Sequence, residues 1–221
     1  MNDTFSRFGA TSAILVGPLS IAYALFYLVI ARQAEFVGML GSWLILGASG
    51  IFSSAAYVAL YQRLRPASEG FALWALLLGV AASFATLAHG AYEALVLLAE
   101  SGATGAQATA IDTVRQVPSQ VNPAGLASFL VVGIVAIVFG WLIVQSGFLP
   151  RTLGYLGMFN ALLLIFLYFA SAVNSEMLIL LSGGLTSVVV GPIWWIWLGR
   201  QLLQAQSVMN SEARPAAGLS G

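Results

Sequence analysis

Six long apolar stretches, each free of Arg and Lys, constrain this chain more than any other feature. They cover residues 8–31, 36–61, 71–99, 125–147, 154–174 and 177–199. A hydrocarbon layer about 30 Å thick takes roughly 20 apolar residues as helix. Helix suits lipid because every backbone polar group is then bonded within its own segment. A membrane β-barrel would instead show alternating segments of about 10 residues. These runs are longer and do not alternate, so the expected fold is all-α, a polytopic transmembrane bundle of six helices. Composition agrees: 60% of residues are hydrophobic and 7% charged, against about 45–50% and about 25% in soluble domains. That is too little charge to solvate a globular surface, and too much hydrophobicity for disorder. The expected organisation is one transmembrane domain over residues 1–200 and a polar cytoplasmic tail over 201–221, a short frayed helix followed by disorder.

Orientation is read from Arg placement near helix ends. Arg7, Arg63, Arg65, Arg151, Arg200 and Arg214 fall on one side, and Arg32 and Arg115 on the other. The excess predicts that the N-terminus and C-terminus are both cytoplasmic. Ala22-Tyr23-Ala24 has the small-residue pattern of a signal-peptide cleavage site. The apolar run continues through Ile30, however, so an uncleaved first helix is expected. Arg-only basic usage with many Ala and Gly points to a GC-rich bacterial genome, hence to the bacterial cytoplasmic (inner) membrane.

Whole classes of function drop out. There is no Cys, which removes disulfides, thiolate metal sites and cysteine nucleophiles. His89 is the one histidine, so no multi-His metal site forms within one chain. No basic tract exists to follow a phosphate backbone, and no nucleic-acid partner is expected. Neither an H-E-x-x-H motif nor a pair of Asp residues within the helices is present. Enzymatic activity is not expected, and no catalytic residue is assigned.

One constellation could carry chemistry. His89 and Glu93 stand at i,i+4 in the third stretch and share a helix face, with Tyr92 beside it. An ionisable side chain inside a membrane helix costs on the order of 2.5–3.5 kcal/mol at the centre, which makes it a functional candidate by default. At about 1.5 Å per residue, His89 lies roughly 6 Å outward of the helix midpoint near Ala85, and Glu93 roughly 12 Å. Three readings follow. A structural clamp would bond the helix to Asn160, Asn174 or a backbone carbonyl. A ligand-binding or proton-linked site would use His89, Glu93 and Tyr92. In the third, His89 serves as an axial ligand to a porphyrin or chlorophyll-type pigment, though nothing supplies a second axial group. The clamp ranks first, and no cofactor or metal is implied.

The punctuation is sparse. The long connection 100–124 holds a short amphipathic helix over 106–117, ended by Pro118 and Pro123. It reads as a connector between helices that are not neighbours, ahead of a lid over an outer cavity. Gly17-Pro18 and Gly191-Pro192 predict kinks. No further self-similarity supports an internal repeat. Small residues at Gly38/Gly41, Gly47/Gly50, Gly79/Ser83 and Gly133/Gly140 predict close helix packing. Trp194, Trp195 and Trp197 before Arg200 read as an interfacial anchor, ahead of an aromatic cage for a cation.

The segment Gln145-Ser146-Gly147-Phe148-Leu149-Pro150-Arg151-Thr152-Leu153-Gly154-Tyr155-Leu156-Gly157 resembles the S-G-x-L-P-R-x-L-G-x-L turn between the fourth and fifth helices of bacterial six-helix membrane proteins of domain-of-unknown-function family 4386. The resemblance implies the same six-helix layout over most of the chain, and transfers no activity or catalytic residue. Pro150 suits a helix start, Arg151 a headgroup anchor, and the glycines close packing. The leading expectation is a non-enzymatic structural or accessory subunit of a membrane assembly, with the lipid bilayer and other membrane subunits or itself as partners. The alternatives are a small proton-linked transporter or ligand-binding membrane protein using His89 and Glu93, and a pigment- or haem-associated subunit.

Overall fold

The computed structural model describes residues 3–116, 126–173 and 175–213. Among them there is no strand. Six helices are long and apolar enough to cross a membrane: α1 (Thr4–Gln33), α2 (Glu35–Leu64), α3 (Glu69–Gly102), α5 (Leu126–Ser146), α6 (Arg151–Ala172) and α7 (Glu176–Ala205). A short helix, α4 (Ala106–Gln116), lies between α3 and α5. Most of these helices extend past the apolar stretches that define them in the sequence. Backbone bonding does not stop where side chains turn polar, and the charged ends project past the apolar slab. Helical structure continues past α7 to Ala213. Arg214, Pro118, Pro123 and Asn174 lie outside the described residues.

The helices form a closed ring in the order α1, α2, α3, α5, α6, α7 and back to α1. Consecutive spanning helices are therefore neighbours throughout. This corrects the expectation for the long connection: α3 and α5 pack directly against each other, so 100–124 does not link separated helices. Length alone misled there, because a long loop is also compatible with adjacent helices. Helix α4 contacts α3.

Ring closure depends on small residues. A Cβ at Gly17 would meet the Ile196 side chain at 2.6 Å and the Pro192 carbonyl at 3.1 Å, so the two Gly-Pro steps face each other across α1 and α7. A Cβ at Gly199 would meet the Ala10 carbonyl at 2.5 Å. These pairings run antiparallel and place the start of α1 beside the end of α7. That end of the bundle is called the terminal end here, and the opposite one the far end. Elsewhere Gly50 faces the Ser83 carbonyl, Gly79 the Tyr57 ring, and Gly140 and Gly154 each other's carbonyls. The small residues thus serve packing within the bundle, as expected.

The packed core sits toward the terminal end. It joins Ala10, Ala13, Leu60, Leu64, Phe139, Leu142, Leu153 and Leu198 in one cluster. The turn after α5 seals it. Gly147 adopts φ +67, the left-handed conformation that ends a helix and that Gly adopts without strain. Leu149 is buried behind it, and Pro150 caps α6. Arg63 of α2 donates through Nη2 to the Phe148 carbonyl at 3.2 Å and lies 5.5 Å from the Phe148 ring centre. Outward, large apolar side chains such as Leu44, Leu77, Phe84, Leu162 and Val188 are exposed. That outer surface suits lipid tails, not water.

Trp194 departs from its expected role. It is 1% exposed, and its indole N–H donates to the Leu153 carbonyl at 3.1 Å. A Cβ at Gly157 would strike that indole at 2.6 Å, so Gly157 is the notch that admits it. Trp195 is buried too, and Trp197 packs part-buried against the same core. These side chains point into the bundle; proximity to Arg200 in sequence does not determine the helix face.

Candidate functional site

Above this core the centre of the ring is open. A cavity of about 520 Å³ is bounded by residues from all six spanning helices. Its wall comes from the second half of α1, α3 and α6, the first half of α5, and the stretches 43–57 of α2 and 179–195 of α7. In an antiparallel ring these segments share one level, toward the far end. Tyr57, Trp194 and Trp195 form the floor. Their rings are tied together: Tyr57 stacks on Phe139 at 5.9 Å and meets Trp195 at 5.6 Å, and Trp195 meets Trp194 at 4.7 Å.

Aromatic rings also line one side. Tyr23 and Tyr27, one turn apart on α1, stack at 5.8 Å. Tyr27 meets Trp43 of α2 at 6.1 Å, and Trp43 meets the His89 ring of α3 edge-on at 5.2 Å. All four border the cavity. Such rings present large rigid apolar faces with a few polar handles, the usual character of a small-molecule pocket.

Both α1 and α7 widen into π-helical register at the level of the cavity, at Phe26–Ile30 and Leu185–Val190. A π-bulge inserts one extra residue into a helix and is frequent at functional sites. In α7 its chemistry is traceable. The Gly191 N–H bonds to the Thr186 carbonyl, five residues back. The next such bond would run from residue 192 to the Ser187 carbonyl, but Pro192 has no N–H. A Cβ at Gly191 would lie 2.3 Å from the Thr186 carbonyl and 3.7 Å from Asn160 Oδ1, so only Gly fits there.

Two buried oxygens flank this break without a partner among the described residues: Asn160 Oδ1 on α6 and Thr186 Oγ1 on α7. Asn160 is 4% exposed and Thr186 8%, and both border the cavity. Buried polar groups in folded proteins are nearly always bonded. Ser12 Oγ and Arg63 Nε, outside the cavity wall, are likewise unpartnered among the described residues, whereas Ser53 and Ser83 bond each other at 2.9 Å between α2 and α3, and Thr86 donates to the Ala82 carbonyl. Among the described residues no Asp, Glu, Arg or Lys borders the cavity. Among the described residues no three His, Asp or Glu side chains gather as metal ligands.

The structure separates the three residues singled out in the sequence. His89 is buried and borders the cavity. Glu93, one turn farther along α3, is half-buried and does not border it. Tyr92 is 44% exposed and sits on the outward side. Ser53 of α2 and Ser83 of α3 bond each other at 2.9 Å. Sequence reasoning did not single out Tyr23, Tyr27, Trp43, Thr186 and Ser187. The i,i+4 tyrosines and the Thr-Ser pair one turn before Gly191-Pro192 were the signals available.

A family profile described as domain of unknown function 4386 matches residues 31–200. No curated protein and no solved structure matches the chain.

Proposed function

We propose, from the premise that this chain belongs to domain-of-unknown-function family 4386, that it is a ligand-binding multi-pass membrane protein with its binding site in the central cavity. The observation that supports this most is the cavity itself, about 520 Å³, walled by every spanning helix and carrying unpartnered oxygens of Asn160 and Thr186. A purely architectural subunit needs none of this. Close-packed interiors hold few voids larger than a water molecule. The ligand-binding reading therefore takes precedence over the accessory-subunit reading, with His89 as a wall residue and Glu93 outside the cavity. The Arg excess at the terminal end supports cytoplasmic termini in a bacterial inner membrane, which turns the cavity toward the outer face.

Purification in mild detergent followed by native mass spectrometry tests the reading. A retained small molecule is expected on the wild-type protein. A Cβ at Gly184, on the cavity wall, would meet nothing within 4 Å, so Gly184→Phe should fill the space and lose the bound mass while remaining monodisperse. Equal retention by both proteins would defeat the proposal. A visible absorption band on the same peak would instead favour a pigment at His89, and stable co-purifying subunits would favour the accessory role.

A further inference from the structure

We propose that the cavity takes an organic amine, bound as its ammonium ion, with the charged nitrogen at the π-helical break of α7. This rests on the ligand-binding reading above and names the ligand's chemical class. Two unpartnered oxygens belong to residues at or beside this break: Thr186 lies in the π segment, and Asn160 Oδ1 would stand 3.7 Å from a Cβ at Gly191. Asn160 Oδ1 and Thr186 Oγ1 have no partner among the described residues, and Pro192 withholds the N–H that would reach the Ser187 carbonyl in π register. Asn160 and Thr186 are both more than nine-tenths buried and border the cavity. A ligand bringing several N–H donors satisfies such a set; a hydrocarbon leaves it orphaned.

The sign of the charge follows from the surroundings. Among the described residues no Arg or Lys borders the cavity, so the described wall holds nothing to neutralise an anion. The walls are the faces and edges of Tyr23, Tyr27, Trp43, Tyr57 and Trp195. Aromatic faces attract cations through the ring quadrupole, more strongly where water is excluded. In sequence, the far-end segments carry Glu35, Glu93, Glu100, Asp112 and Glu176 against Arg32 and Arg115. Carboxylates around an entrance raise the local concentration of cations before they bind. The aromatic cage ranked second for Trp194, Trp195 and Trp197 in the sequence thus returns on Trp195 together with the α1 tyrosines.

The test uses the full chain in detergent micelles and three isosteres at neutral pH: 1-naphthylmethylammonium, 1-naphthalenemethanol and 1-ethylnaphthalene. They share a ring system and differ in charge and donors. Isothermal titration against protein, corrected with empty micelles, should show the ammonium binding on the order of tenfold tighter or more than either neutral probe. Asn160→Asp places a carboxylate at the break and should tighten the ammonium alone. Asn160→Leu should weaken the ammonium and leave the hydrocarbon unchanged. Equal affinity for all three probes, or an Asn160→Asp protein with unchanged preference, overturns the amine while leaving the cavity reading standing. No binding of any probe defeats the cavity reading, and the amine with it.

Discussion

Asn160 shows how a residue can weaken the fold and still suit the proposed site. Its Oδ1 is enclosed and unpartnered, and an unsatisfied buried polar group costs about 1–3 kcal/mol. Asn160→Leu keeps similar volume and removes that penalty. It should therefore stabilise the ligand-free protein by about 1–3 kcal/mol, read as a higher Tm in detergent, while weakening the ligand. A lower Tm would mean that Asn160 is bonded in the free protein. Trp194 behaves oppositely. Its indole is seated against Gly157 and bonded to the Leu153 carbonyl, so Gly157→Ala should cost about 1–3 kcal/mol by overpacking. In the double variant with Trp194→Phe the two losses should be non-additive, because both act through the same indole; additive losses would place the clash elsewhere. At this scale the sequence was only partly legible. His89 could be singled out because an ionisable group in an apolar run stands out. Trp194 was misread, because an indole at a helix end has the same composition whether it faces lipid headgroups or the core. What decides is the facing notch, and Gly157 is thirty-seven positions away in sequence.

Among the elements, α7 departs furthest from an ideal helix. Gly191-Pro192 was legible as a break, since Pro cannot donate the bond that its position in a helix requires. The π register was not legible. Hydropathy reports which residues are apolar and does not report which carbonyl a given N–H meets. Gly191 and Pro192 have separable roles in the bulge. Pro192→Ala restores a donor at residue 192 and should slow hydrogen exchange across 185–195 relative to wild type and raise Tm, with stability gaining what one net hydrogen bond is worth, roughly 0.5–1.5 kcal/mol. Gly191→Ala introduces a methyl group 2.3 Å from the Thr186 carbonyl. It should force the segment out of π register, move Thr186, and lower ligand retention without unfolding the bundle. Unchanged exchange in Pro192→Ala would show that the Ser187 carbonyl already has another donor. Loop length was the other illegible feature. The stretch 100–124 joins neighbours in the ring, and what its length accommodates is α4.

For the whole molecule, the six-helix class followed directly from run length, because lipid leaves the backbone no alternative to helix of that span. The ring order and the cavity did not follow. A ring of six helices can fill its centre or leave it open, and the choice depends on which small residues face each other. Here Gly17, Gly199, Gly140 and Gly154 draw the terminal end together, while two π segments and the rings of Tyr23, Tyr27, Trp43 and His89 stand at the level of the cavity. The result is a cup whose packed end is the terminal one, and under the proposed function its direction in the membrane decides which compartment supplies the ligand. The absence of cysteine makes this measurable without background. Ala67 lies in the exposed turn between α2 and α3 at the terminal end, and Gly105 in the exposed turn between α3 and α4 at the far end. A membrane-impermeant maleimide applied to intact cells should label Gly105→Cys and spare Ala67→Cys until the membrane is opened. The terminal end carries Arg7, Arg63, Arg65, Arg151 and Arg200, and the positive-inside bias is an energetic preference for retaining such charge in the cytoplasm. The reverse labelling would put the cup's mouth in the cytoplasm. Its ligand would then come from inside the cell, and the acidic rim would face a surface potential that already concentrates cations.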